Sequence, residues 1–170
     1  MPTSNKRLVF ESGHRRKYLV IVDESPEVEA ALYFCASRIS HASGSIVLLY
    51  CIEPQEYQHW AGVRQVQIEE ETDKAKALFR LFRRKLSLGE FDSIAVEEVI
   101  RKGKTTEEIL KLIEEDPDIA ILVLGAATDA KQGPGPLVAK LASGGWAGTF
   151  PIPITIVPGN LGLADVKALA

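Results

Sequence analysis

Asp23 directly follows the apolar run Lys17-Tyr-Leu-Val-Ile-Val22 and opens the turn Asp23-Glu24-Ser25-Pro26. A carboxylate at the end of a buried strand sits where open α/β sheets bind ligands. The same residue can instead close an Asx turn and need no ligand, so both readings stay open on Asp23 alone. A second candidate is the loop Gly125-Ala-Ala-Thr-Asp-Ala-Lys-Gln-Gly-Pro-Gly-Pro136, whose small residues lead into a helical pattern. Backbone N–H groups at such a helix start favour anions, and Lys131 can add a charge-assisted bond to phosphate. Pro136 removes one amide donor there, which favours a plain surface loop. Gly103-Lys104-Thr105 has the ending of a phosphate-binding loop, but the glycine needed five residues earlier is Glu98, so the pattern fails.

Other reactive side chains form no constellation. His14, His41 and His59 stand singly among polar residues, without ligand spacing or an obvious carboxylate partner, and read as solvated. Cys35 lies in a helical pattern and Cys51 in an apolar strand, and the pair writes neither a CxxC nor a disulfide framework. Reduced, buried thiols in the cytoplasm are the expectation. GxSxG, HExxH and GxGxxG are all absent. No catalytic residue and no metal ligand is expected.

The elements that must position Asp23 and the glycine loop alternate regularly. Strands are predicted at Lys17–Val22, Ser45–Ile52, Ser93–Ile100, Ile119–Leu124 and Pro151–Pro158. The first helix carries Val28, Ala31, Leu32, Cys35 and Ile39 on one face, with Ser25 as its N-cap and Pro26 as its first residue. From about Glu53 to Gln65 the pattern is irregular and holds Tyr57, His59 and Trp60; a long helix with the stripe Ala75, Leu78, Phe79, Phe82 and Leu86 follows. Thr105 and Glu108 are spaced for a capping box on the next helix, whose buried side is Ile109, Leu110, Leu112 and Ile113. Leu137, Val138 and Leu141 mark a fourth helix starting near Pro136; Gly144–Thr149 reads as loose, and the tail past Asn160 as a short terminal helix. The prolines of the last strand put it at a sheet edge, since proline cannot donate to a ladder. Strands alternating with helices imply a parallel α/β sheet covered on both faces, with ligands at the carboxyl ends of its strands.

Composition sets the class. The chain has 170 residues, 46% hydrophobic and 25% charged, with net charge −3. That suits one domain and is too apolar for disorder. A slightly acidic chain offers no global field to recruit nucleic acid or an anionic membrane. The longest apolar run, Ile119 to Ala127, is too short to span a bilayer, and no secretory signal is expected. The organisation expected is an N-terminal extension over 1–16, an α/β domain over 17–159 and a tail over 160–170.

Four stretches carry a resemblance. They are Ile21-Val22-Asp23-Glu24-Ser25, Leu48-Leu49-Tyr50-Cys51-Ile52, the succession from Gly103 through Glu107-Glu108-Ile109 to Asp118 and Gly125, and Pro153-Ile154-Thr155-Ile156-Val157. In that order they resemble the universal stress protein family over nearly the whole chain, with its Val-Asp-x-Ser opening and its closing Pro-Val-Leu-Val-Val strand. The resemblance implies a Rossmann-like open sheet of five parallel strands, order 3-2-1-4-5, with helices on both faces. It also implies a homodimer joined through the last strand, Pro153–Val157, and ATP or AMP as ligand. Asp23 then matches the ribose region, Cys51 the adenine, and Gly125 and Gly135 the phosphates. Members that bind ATP carry GxxG, a spacer and Gly-Ser or Gly-Thr; here Thr128 takes the place of the second glycine. Gly135 follows through a shorter loop, and Pro136 replaces the hydroxyl residue. Each lost phosphate donor removes about 1–3 kcal/mol from a charged, desolvated phosphate.

The function implied is a stress-response binding or regulatory module with an altered adenine-nucleotide pocket. One alternative is a nucleotide-hydrolysing enzyme of the related adenine-nucleotide hydrolase-like group. That group's Ser-Gly-Gly-x-Asp-Ser and HxGH motifs are both missing here. The other alternative is a dimeric scaffold with no small ligand, which the loss of a hydroxyl at Pro136 favours.

Overall fold

β1 (Lys17–Ile21) is apolar on both faces because both are covered: Leu19 and Val20 point to opposite sides of the sheet and neither is exposed. The computed structural model describes residues 6–54 and 61–170. After β1 come α1 (Val28–Ser40), β2 (Ser45–Ile52), α2 (Ala61–Leu88), β3 (Val96–Lys102) and α3 (Thr105–Glu115). β4 (Ile119–Ala126), α4 (Pro136–Leu141), α5 (Gly144–Thr149), β5 (Ile154–Pro158) and α6 (Leu163–Leu169) complete the chain. All strands run parallel in the order β3-β2-β1-β4-β5. The expected fold class is therefore the observed one, with the proline-bearing strand at an edge.

Two cores flank the sheet. On one face Val20, Leu48 and Val123 pack with Leu32 of α1, Phe79 of α2 and Val166 of α6. On the other, Leu19, Val47 and Leu122 pack with Ile109 and Ile113 of α3 and Val138 and Leu141 of α4. Residues of successive parity serve opposite cores, as the two-residue period of a strand requires. Cys35 belongs to the first core and Cys51 packs against the second, so the sheet itself separates the two thiols. Among the described residues no helix is long and apolar enough to cross a membrane.

Several boundaries differ from expectation, each for a local reason. α1 starts at Val28 rather than Pro26, because Ser25 turns back to Asp23 instead of capping the helix. α2 starts at Ala61, inside the stretch read as irregular; Tyr57, His59 and Trp60 lie outside the described residues. β3 starts three residues late because Phe91 is buried and turns the chain, with its N–H on the Leu86 carbonyl and its own carbonyl accepting from Ile94. The capping box at Thr105 and Glu108 does not form. Lys104 is the N-cap residue, Thr105 bonds elsewhere, and Glu108 is buried against Gly103, which stands at φ 145°. Gly144–Thr149 is helical, not loose.

The segment before β1 ties the α3–β4 connection to the domain. The Arg7 guanidinium donates to the carbonyls of Ile113 (2.7 Å) and Asp116 (3.2 Å), groups the C-terminus of α3 leaves open, and to that of Ile119 (3.2 Å) at the start of β4. The Leu8 N–H donates to the Pro117 carbonyl at 3.0 Å. His14, expected to be solvated and unpartnered, places Nδ1 2.6 Å from Asp118 Oδ1. The two residues lie far apart in sequence, so their pairing was invisible until β1 and β4 became neighbours.

Candidate functional site

Strand order reverses between β1 and β4, and beside that point, over the carboxyl ends of β1 and β2, opens a cleft of about 640 Å³. Asp23 lines it, one residue past Val22, whose N–H is fixed on the Leu49 carbonyl at 2.8 Å. Asp23 also accepts the Ser25 N–H at 2.8 Å and the Ser25 hydroxyl. The two readings of Asp23 are thus combined: one oxygen closes the turn, and the residue still faces the cleft.

β2 delivers Tyr50, Cys51 and Glu53 to the same cleft. The Tyr50 hydroxyl donates to Glu71 of α2, which holds the Glu71 carboxyl below its ordinary value, while burial first and Glu71 second push the Tyr50 phenol up. Glu71 also pairs with Lys74 at 3.2 Å, and Lys74 with Glu24 at 3.5 Å, tying α2 to the turn after β1. Burial pushes the Cys51 thiol up to about 11, so it is neutral near pH 7 and behaves as a soft wall of the cleft. Glu53 Oε1 accepts both the Thr105 N–H (2.9 Å) and the Thr105 hydroxyl (2.7 Å), bonds that hold its carboxyl below the ordinary range. Lys104, Thr105 and Thr106 at the start of α3 and Pro136, Leu137 and Lys140 of α4 form the remaining wall. Gly103-Lys104-Thr105 is the strand-to-helix turn its failed phosphate pattern left it to be.

A smaller cavity of about 60 Å³ adjoins, between Asp23, Ser25 and Glu27 on one side and Gly125, Pro134, Gly135 and Pro136 on the other. Gly125 is required here by packing: a Cβ would stand 2.1 Å from the Glu27 carbonyl oxygen. Gly135, at φ 108°, needs glycine for its backbone and leads into α4 with Pro136 as its first residue. Within the loop, three amides are already bonded: Ala127 donates to the Pro134 carbonyl, Gly133 to the Asp129 carbonyl and Lys131 to the Asp129 carboxylate. Pro134 and Pro136 have none. Thr128 and Lys131 are exposed and line neither cavity. The structure thus brings Asp23, Cys51, Gly125 and Gly135 to one end of the sheet and leaves Thr128 and Lys131 on the loop's outer side.

Tyr50, Glu53, Glu71, Lys104 and Lys140 were not foreseen. Glu53 had a signal, because it follows a buried strand just as Asp23 does. Glu71 and Lys140 sit on helices whose sequence reads as solvated faces, and only the packing aims them inward.

Comparison with known proteins bears on this geometry. The universal stress protein family model matches residues 14–136. The solved structure of the universal stress protein UspA from Lactobacillus plantarum aligns with a TM-score of 0.66 at 18% identity, covering 84% of this chain and 97% of that one. A member from Burkholderia pseudomallei aligns at 0.62 with 12% identity over 84% and 95%, and one from Archaeoglobus fulgidus at 0.58 with 17% identity over 89% and 99%. No curated protein sequence matches the chain. At these identities the solved structures share the fold, while the sequence match supplies the family.

Proposed function

The chain belongs to the universal stress protein family, and from that premise we propose that it is a binding and regulatory module whose cleft takes an adenine nucleoside or its monophosphate. One observation carries this reading. The main cleft is lined by Asp23 and Cys51, the residues that the family resemblance matches to the ribose and the adenine. The adjoining cavity at the glycine loop holds only about 60 Å³ and is walled by Pro134 and Pro136. A triphosphate laid along that loop meets two prolines without N–H groups and three amides already bonded. ATP therefore gains little there beyond what AMP gains.

The protein acts in the cytoplasm as a homodimer on this reading. Support for the compartment is the pair of free thiols on opposite sides of the sheet. Support for the dimer is the contrast between the two sheet edges. Along β3 the Arg83 guanidinium donates to the Val96 carbonyl at 2.9 Å and pairs with Glu98, so that edge is charged and partly capped. β5 instead exposes Ile156 beside an apolar groove of about 310 Å³ that includes Phe150, Ile152 and Ile154.

Calorimetric titration with adenosine, AMP and ATP tests the pocket, together with chromatography of any nucleotide released on denaturation. Adenosine and AMP are expected to bind, ATP no more than about tenfold tighter than AMP, and Asp23→Ala to weaken all three by roughly tenfold. ATP binding a hundredfold tighter than AMP would show a working phosphate loop and overturn the reading. Binding of none of the three would leave the dimeric scaffold, which Pro136 favours.

A further inference from the structure

Lys104 and Lys140 come from different elements, the turn into α3 and the last turn of α4, yet both line the main cleft. Both side chains are exposed, and among the described residues neither ammonium lies within ion-pair or hydrogen-bond distance of a partner. The nearest acidic group common to them is Glu53, whose carboxylate is already committed to Thr105 and feels both lysines through space. Two unpaired cations facing one cavity form an anion-binding pair, since a mobile dianion can be met by both without moving the backbone.

We propose that Lys104 and Lys140 hold the phosphate of a mononucleotide, moving the anion subsite from the glycine loop to the space between α3 and α4. This inference rests on the adenine-nucleotide reading above and adds to it where the charge goes. Charge arithmetic limits what the subsite accepts. The two lysines offer two positive charges, as many as a phosphate dianion carries, while the carboxylates of Asp23, Glu53 and Glu71 line the same cleft and repel further phosphates. A monophosphate is matched; a triphosphate brings extra negative charge toward carboxylates. Glu53 becomes a specificity-determining residue, because it sets how much of the lysine charge is left for ligand.

The test is the ratio of AMP to adenosine affinity, measured by calorimetry on the full chain. In the natural protein AMP is expected to bind about tenfold or more tighter than adenosine, with the preference shrinking as salt rises from low to molar concentration. The double variant Lys104→Ala, Lys140→Ala is expected to lose the preference, and Lys104→Arg, Lys140→Arg to restore it. Glu53→Gln, which keeps an acceptor oxygen for Thr105, is expected to widen it by several fold. Equal affinity for adenosine and AMP in the natural protein, or an unchanged ratio in the double alanine variant, would overturn the lysine subsite while leaving the adenine reading standing. Failure of all three adenine compounds to bind would overturn both.

Discussion

At Glu53 one carboxylate oxygen accepts two hydrogen bonds from Thr105, first the backbone N–H and then the hydroxyl, and these hold its pKa below the ordinary 4.5. Depression of a folded-state carboxylate stabilises the fold above the unfolded value and is lost as pH falls through the folded one. Acid unfolding is therefore expected to steepen below about pH 4.5 in part through Glu53, with Glu71, lowered by Tyr50, acting in the same direction. Glu53→Gln is expected to flatten that limb in denaturant titrations between pH 3 and 5, with little change near pH 7; an identical acid limb would remove Glu53 from the account. Asp23 was legible in the sequence because a carboxylate after a buried strand has few other places to go. Glu53 obeys the same rule, and was obscured only by the irregular segment that follows it. Gly125 was legible as a position but not as a role: its lack of a side chain serves the Glu27 carbonyl before it serves any ligand.

Between elements, the two edges of the sheet differ in chemistry, and the difference has a measurable outcome. Ile156 is 43% exposed on β5, and replacing it by Glu sets a charge into the proposed self-pairing edge. Ile156→Glu is expected to convert a dimer to a monomer in sedimentation equilibrium while the helical and strand content by circular dichroism stays as it was. A dimer that persists would place the contact elsewhere. The order of strands and helices was readable because each apolar run is bounded by glycine, proline or acid turns. The exact starts were not, since Ser25, Phe91 and Thr105 each choose a tertiary or turn partner over the local role their type suggests.

For the molecule as a whole, stability is divided between two cores that share only the sheet. α6 closes the first of them: Val166 is fully buried, and Lys167 donates to the Gly89 carbonyl at 3.1 Å and lies 5.2 Å from the Phe91 ring. Val166→Ala is expected to cost about 1–3 kcal/mol, seen as a lower urea midpoint with an unchanged slope. A midpoint that does not move would mean α6 is dispensable. The terminal helix was foreseen from sequence, but its docking on α1 was not, because a seven-residue helix with Val166 as its one buried residue is a weak local signal.

β1 has β2 on one side and β4 on the other. During synthesis, β2 follows β1 within a few dozen residues, whereas the strand that completes it begins only at Ile119. One edge of the central strand therefore stays bare until most of the chain has left the ribosome. Nascent chains of this protein have their greatest exposure to mispairing in that interval, which ends when β4 slots in beside β1.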